Sequence, residues 1–167
     1  MSSPGVVVGV DGTVASRNAL AWAVEHATAT GSRLTAVTAY WAGPVLDEAR
    51  GSVLAARRSN ALHVQMRAIA QLGSATSDRC EIESRVVHGA PAEVLLEASE
   101  GERLLVVGTD HERGWRRMVD GSVSHDCLRD ASTPVVVVPV EDAAPVDLDL
   151  DAEVLRGSGS EPAEIGA

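Results

Sequence analysis

The chain has 167 residues, enough for one domain with a sizeable core, and 45% of them are apolar. All 14 basic residues are arginine, which excludes both the lysine of a P-loop nucleotide site and the amine of Schiff-base chemistry. A net charge of −10 is the opposite of what duplex DNA or an anionic membrane attracts, so neither is expected as a partner.

There is no Phe and only one Tyr, so the core has to be built from Val, Leu and Ala. Two cysteines, Cys80 and Cys127, lack any CxxC spacing and read as small reduced core residues. The start, MSSPGVVVGV, has no basic segment before its apolar run and does not read as a signal peptide. No apolar run reaches the roughly 18 residues of a membrane span, so a cytoplasmic, soluble domain is expected.

In chain order, the run Val6–Val10 ends at Asp11-Gly12 and predicts a strand covered on both faces. Thr13 or Ser16 caps a helix with Leu20, Ala23, Val24 and Ala27 on its apolar face, and Gly31 stops it. Leu34–Tyr40 is rich in β-formers, and Ala42-Gly43-Pro44 breaks it. A mostly helical region covers 45–72, with Leu62, Met66 and Ile69 at helical spacing and Gly51-Ser52 weakening its first part. Glu81–Val87 alternates as a strand. Gly89-Ala90-Pro91 then opens a helix whose Val94, Leu95 and Ala98 face inward. Leu104–Val107, a helix from about Ser122 to Asp130, and Val135–Val138 complete the body.

Strands alternating with helices imply an α/β fold, a parallel sheet with helices on both faces. Residues 1–140 form this domain. Residues 141–167 carry eight acids against Arg156 and turn to Gly-Ser-Glu-Pro, which reads as an acidic, disordered tail.

A strand that runs through a glycine-containing loop into a helix start is the recipe for an anion site, because unpaired amides and the helix dipole both favour negative charge. Residues 104–138 have this pattern, with Gly108, Gly121 and Ser122 at the critical points. Asp11-Gly12 closes the first strand in the same way. The arginines Arg113, Arg116 and Arg117 lie between the two glycine positions and offer charge-assisted bonds to phosphate, or a solvated loop surface. No metal site is expected, since His26, His63, His88, His111 and His125 are scattered.

Three stretches carry a resemblance: VVVGVDGT at 6–13, VVHGAPAEVLLEA at 86–98, and LLVVGT with GSVSHDCLRDASTPVVVVPV at 104–109 and 121–140. Together they are similar, in register and order, to the universal stress protein family over roughly residues 5–140. The resemblance implies an open five-stranded parallel sheet of order 3-2-1-4-5, as in Rossmann-like and adenine nucleotide alpha-hydrolase-like folds. That order puts a topological switch point between strands 1 and 4, where such sheets bind ligands.

ATP-binding members of this family carry G-x2-G-x9-G-[S/T]. Gly108 and Gly121-Ser122 keep the spacing, and His111 stands at the second glycine. The resemblance therefore implies ATP held at the switch point. Gly9, Val10 and Asp11 would form the ribose or adenine wall, and Ala39 and Tyr40 would lie against the base. Backbone amides of Gly108, Thr109, His111, Gly114, Gly121, Ser122 and Val123 would hold the phosphates. Asp11 has an ordinary alternative role as a turn or cap residue, and Ser122 as a cap. A nucleotide-free interaction module of the same family is the alternative reading, with His111 as its cause.

The resemblance also implies a homodimer through the last strand, Val135–Val138, whose free edge would otherwise be a liability. Catalysis is not expected. No GxSxG elbow surrounds Ser122, no GxGxxG follows strand 1, and no general base is positioned to activate water.

Overall fold

The computed structural model describes residues 4–43, 47–73, 80–110 and 123–140. Five strands form one parallel sheet: β1 Val6–Gly9, β2 Leu34–Tyr40, β3 Ile82–His88, β4 Leu104–Thr109 and β5 Val135–Pro139. Their spatial order is β3-β2-β1-β4-β5. Among the described residues four helices connect them: α1 Val14–Thr30, α2 Asp47–Gln71, α3 Pro91–Ser99 and α4 Val123–Asp130.

The valine runs become strands because both faces of the sheet are covered. Val6 and Val8 point into one buried cluster with Leu20, Ala23, Val24 and Leu34. Val7, between them, points into the other with Val37, Leu95, Leu105 and Cys127. The same alternation divides β4, where Leu104 and Val106 join the first cluster and Leu105 and Val107 the second. Burying a side chain such as Leu20 or Leu105, each 0% exposed, contributes roughly 2 kcal/mol to stability.

α1 starts where the Thr13 hydroxyl accepts the Ser16 amide at 3.1 Å. It ends at Gly31, whose φ of 62° is the left-handed conformation that glycine adopts most readily. There the Ser32 amide donates to the Ala27 carbonyl (2.9 Å) and the Gly31 amide to Thr28 (3.4 Å), a Schellman arrangement that satisfies the last carbonyls.

The helix expected over 45–72 is one continuous element, and Gly51 does not interrupt it. Gly51 lies on an exposed turn with nothing near its missing Cβ, so only its propensity cost is felt there. The face that α2 buries also differs from the apolar spacing. Ala61, Gln65 and Ala68 are buried, whereas Leu62 and Met66 are 38% and 58% exposed. Small residues win because α2 lies close on the sheet, and Gln65 makes that approach specific. Its fully buried amide donates to the Ala36 carbonyl (2.9 Å), the Thr38 hydroxyl (3.0 Å) and the Arg85 carbonyl (3.1 Å), and its oxygen accepts the Ser84 hydroxyl. One helix side chain thus ties β2 to β3.

Trp22 packs α1 against the first cluster and stacks on His26 with ring centroids 5.0 Å apart. Both cysteines are free thiols, Cys127 buried and Cys80 half-buried. The acidic stretch 141–167 lies outside the described residues.

Candidate functional site

At the C-terminal ends of β1 and β4 the chain runs in opposite directions, β1 towards β2 and β4 towards β5. The loops diverge and leave a crevice. The described residues enclose a cleft of about 140 Å³ there. Gly9, Val10 and Asp11 form one wall, Ala39 the β2 side, and Gly108 and Val123 the β4 side. The structure therefore brings six of the expected site residues together.

Two others, Tyr40 and Thr109, do not line it. Side chains alternate along β2, so when Val37 and Ala39 face the cleft Tyr40 faces away. Tyr40 tilts against His88 across the β2–β3 pair, with ring centroids 5.4 Å apart. Thr109 pairs with Pro139, and its carbonyl accepts the Val140 amide at 3.0 Å. The remaining expected residues, His111, Gly114, Gly121 and Ser122, lie outside the described residues, as do Arg113, Arg116 and Arg117.

The lining also includes residues that the sequence marked only for structural roles. Thr13 and Ser16 were legible as caps, Pro91 as a helix start and Leu95 as core. Each sits at the first or second turn of a helix that begins beside the sheet's C-terminal edge. That position, rather than any motif, is the signal that could have identified them.

Gly108 is required by packing. A Cβ there would lie 2.3 Å from the backbone carbon and oxygen of Ala15 and 2.8 Å from the Ser16 amide nitrogen. The end of β4 thus passes directly against the first turn of α1, and only glycine allows it. Gly9 makes a milder approach, its missing Cβ 2.9 Å from a Leu95 methyl. These two glycines bring β1, β4, α1 and α3 together around the crevice.

Asp11 is held at the rim by its own turn. One carboxylate oxygen accepts the Thr13 amide at 2.9 Å and the Thr13 hydroxyl at 2.7 Å. The Asp11 amide donates to the Ser16 hydroxyl at 3.3 Å. Partial burial pushes the carboxyl pKa up, but hydrogen bonds from Thr13 and Ser16 outweigh it and hold the group below the ordinary carboxylate value. Asp11 therefore stays charged at neutral pH, an acceptor held in place by its own turn. The Thr38 hydroxyl donates to the Val10 carbonyl at 2.7 Å and fixes the backbone just before it.

The site offers backbone amides, hydroxyls, one carboxylate and an apolar back wall of Val37, Leu95 and Val107. That is a lining for a flat apolar ring with polar edges. Among the described residues no group of three His, Cys, Asp or Glu is placed to hold a metal ion. No helix there is long and apolar enough to cross a membrane.

Comparison with known proteins bears directly on this crevice. Residues 5–139 match the model of the universal stress protein family. A universal stress protein of Mycobacterium tuberculosis is 33% identical over 143 residues, 84% of this chain and 50% of that protein. Another, from Mycolicibacterium smegmatis, is 30% identical over 172 residues, 95% of this chain and 55% of the relative. The chain thus spans about half the length of the curated relatives it matches. Among solved structures, a universal stress protein in complex with cAMP superposes with a TM-score of 0.57 at 27% identity, covering 83% of this chain and 98% of that one.

Proposed function

The chain belongs to the universal stress protein family, and from that premise we propose that it binds an adenine nucleotide, ATP, at the β1/β4 crevice and acts as a stress-response regulator. The observation that carries this reading is the fixed, charged Asp11 at the mouth of an apolar slot. Its carboxylate has one oxygen committed to Thr13, which leaves the other to accept from a ribose hydroxyl. Ala39, Val37 and Leu95 offer the base an apolar seat. The cAMP complex of the relative 27% identical to this chain supports an adenine ligand. On this reading Asp11 serves as a hydrogen-bond acceptor for the ligand, and the protein works by binding. The two free thiols fit a reducing, cytoplasmic compartment.

Equilibrium calorimetry with ATP, AMP and cyclic AMP side by side tests the reading. ATP should bind with a Kd of about 100 µM or tighter, and Asp11→Ala should weaken it about tenfold. Affinity for all three no better than about 1 mM, unchanged in Asp11→Ala, would sink it.

The second reading, a nucleotide-free interaction module, is favoured by one residue. His111 stands where ATP-binding relatives carry glycine, and a side chain there narrows the backbone's approach to phosphate. On that reading His111→Gly creates or strengthens ATP binding, and no gain would count against it.

In either case β5 is an edge strand with one side unpaired among the described residues, and we propose that it pairs with a second copy of the chain. Pro139, which has no amide hydrogen, limits the run. Sedimentation at micromolar concentration should give a dimer, and monomer alone would dispose of the pairing.

A further inference from the structure

Helix α2 has the opposite charge to the chain that contains it. It carries Arg50, Arg57, Arg58 and Arg67 against Asp47 and Glu48 at its start, a net +2 in a protein of net charge −10, and past Glu48 it has no acid. Asn60, Val64, Arg67 and Gln71 recur at spacings of three and four and therefore share one stripe. This stripe borders the first turns of α1, and a second cleft of about 280 Å³ opens between them.

The cleft presents Arg17 from one side and His63, Arg67, Asn60 and Gln71 from the other, over a floor of Val64 and Ala68. Among the described residues no carboxylate lines it. Arg17 is half-buried, and its Nη1 donates to the Gly12 carbonyl at 2.8 Å, which fixes the guanidinium in place and leaves its other donors for a ligand. Neither Arg67 nor His63 makes an ion pair among the described residues. Two guanidinium groups converging on one space repel each other, and an anion between them removes that cost.

We propose that this cleft is a second anion site, one that takes a small phosphate-bearing molecule. Guanidinium forks match the paired oxygens of phosphate, and Asn60 and Gln71 supply neutral donors for the remainder. The site is separate from the β1/β4 crevice, since the two have no lining residue in common. They meet only across the turn Asp11-Gly12-Thr13. Gly12 has φ of 86°, and a Cβ there would lie 2.8 Å from a Val64 methyl, so α2 rests directly on that turn. An anion that draws Arg17 and Arg67 together therefore acts on the same turn that holds Asp11.

Titration of the full chain with sodium pyrophosphate, followed by amide chemical shifts, tests this. Sodium chloride at matched ionic strength is the control. Saturable shifts should appear at Gly12, His63, Val64 and Arg67 with a Kd of about 1 mM or tighter. Arg67→Gln should weaken binding about tenfold and His63→Gln by less, both at exposed positions where folding is unaffected. Three results would overturn the proposal: shifts confined to Gly108–Asp110, equal shifts with chloride, or an Arg67→Gln protein that titrates like the original. Because the amides of each cleft are read separately, failure here is distinguishable from failure of the nucleotide reading.

Discussion

On one face of the sheet lie α1, 17 residues long, and the C-terminal half of α2, where Ala61, Gln65 and Ala68 are buried; on the other, α3 and α4 supply nine and eight residues of helix. The long-helix face buries Leu20, Val24, Leu34, Val6 and Val8 to 1% exposure or less, with Ala19, Ala23 and Ala27 letting α1 lie close. The short-helix face is thinner. Its helices begin at Pro91 and Val123, beside the strand ends, and the crevice opens between them. The difference teaches a division of labour. The continuous face packs the larger apolar cluster, and the face with gaps opens a crevice.

The sharpest way to break that comparison is to cut each face by the same atoms. Leu20→Ala should cost about 4 kcal/mol by urea unfolding, because its fully enclosed cavity cannot collapse. Leu95→Ala on the thin face, at the edge of the crevice, should cost about 2 kcal/mol and change nucleotide affinity as well. Equal losses would mean that the two faces share stability evenly.

Next in size is Gly108→Ala. Its Cβ has to displace the backbone of Ala15, not a flexible side chain. The expected loss is about 3 kcal/mol, with ATP binding reduced in the same variant, since the start of α1 must move. A Gly108→Ala protein with unchanged melting temperature and unchanged affinity would remove the link between packing and site.

The smallest effect is expected from Gln65→Leu, which is nearly isosteric but leaves the Ser84 and Thr38 hydroxyls without their amide partner. About 2 kcal/mol should be lost in the same unfolding assay. If the variant is instead as stable as the parent, the polar tie between β2 and β3 contributes specificity and not stability.

Much of this was legible in the residues. Val6–Val10, Leu34–Tyr40 and Leu104–Val107 announce buried strands, and Val135–Val138 a strand that its place at the sheet edge leaves half-buried. Thr13, Gly31 and Pro91 mark helix ends because each answers a specific backbone need. The inward face of α2 was not legible. Its apolar spacing favoured Leu62 and Met66, and close approach to the sheet selected Ala61, Gln65 and Ala68 instead. The cleft lining was legible in part. Asp11 and Gly108 stand out from their loops, whereas Thr13, Ser16 and Leu95 come to line the cleft only from where three helices begin.

By itself the sequence determined the alternation of strands and helices, the absence of lysine chemistry, and the glycine and aspartate at the two strand ends. These are local properties, settled by periodicity, propensity and residue type. Only the tertiary structure decided that Gly108 is demanded by the backbone of Ala15 and that Tyr40 turns away from the crevice. It also decided that Arg17 and Arg67, 50 positions apart in the chain, face one space. Those outcomes depend on how closely elements distant in sequence approach one another, and no local pattern encodes that distance.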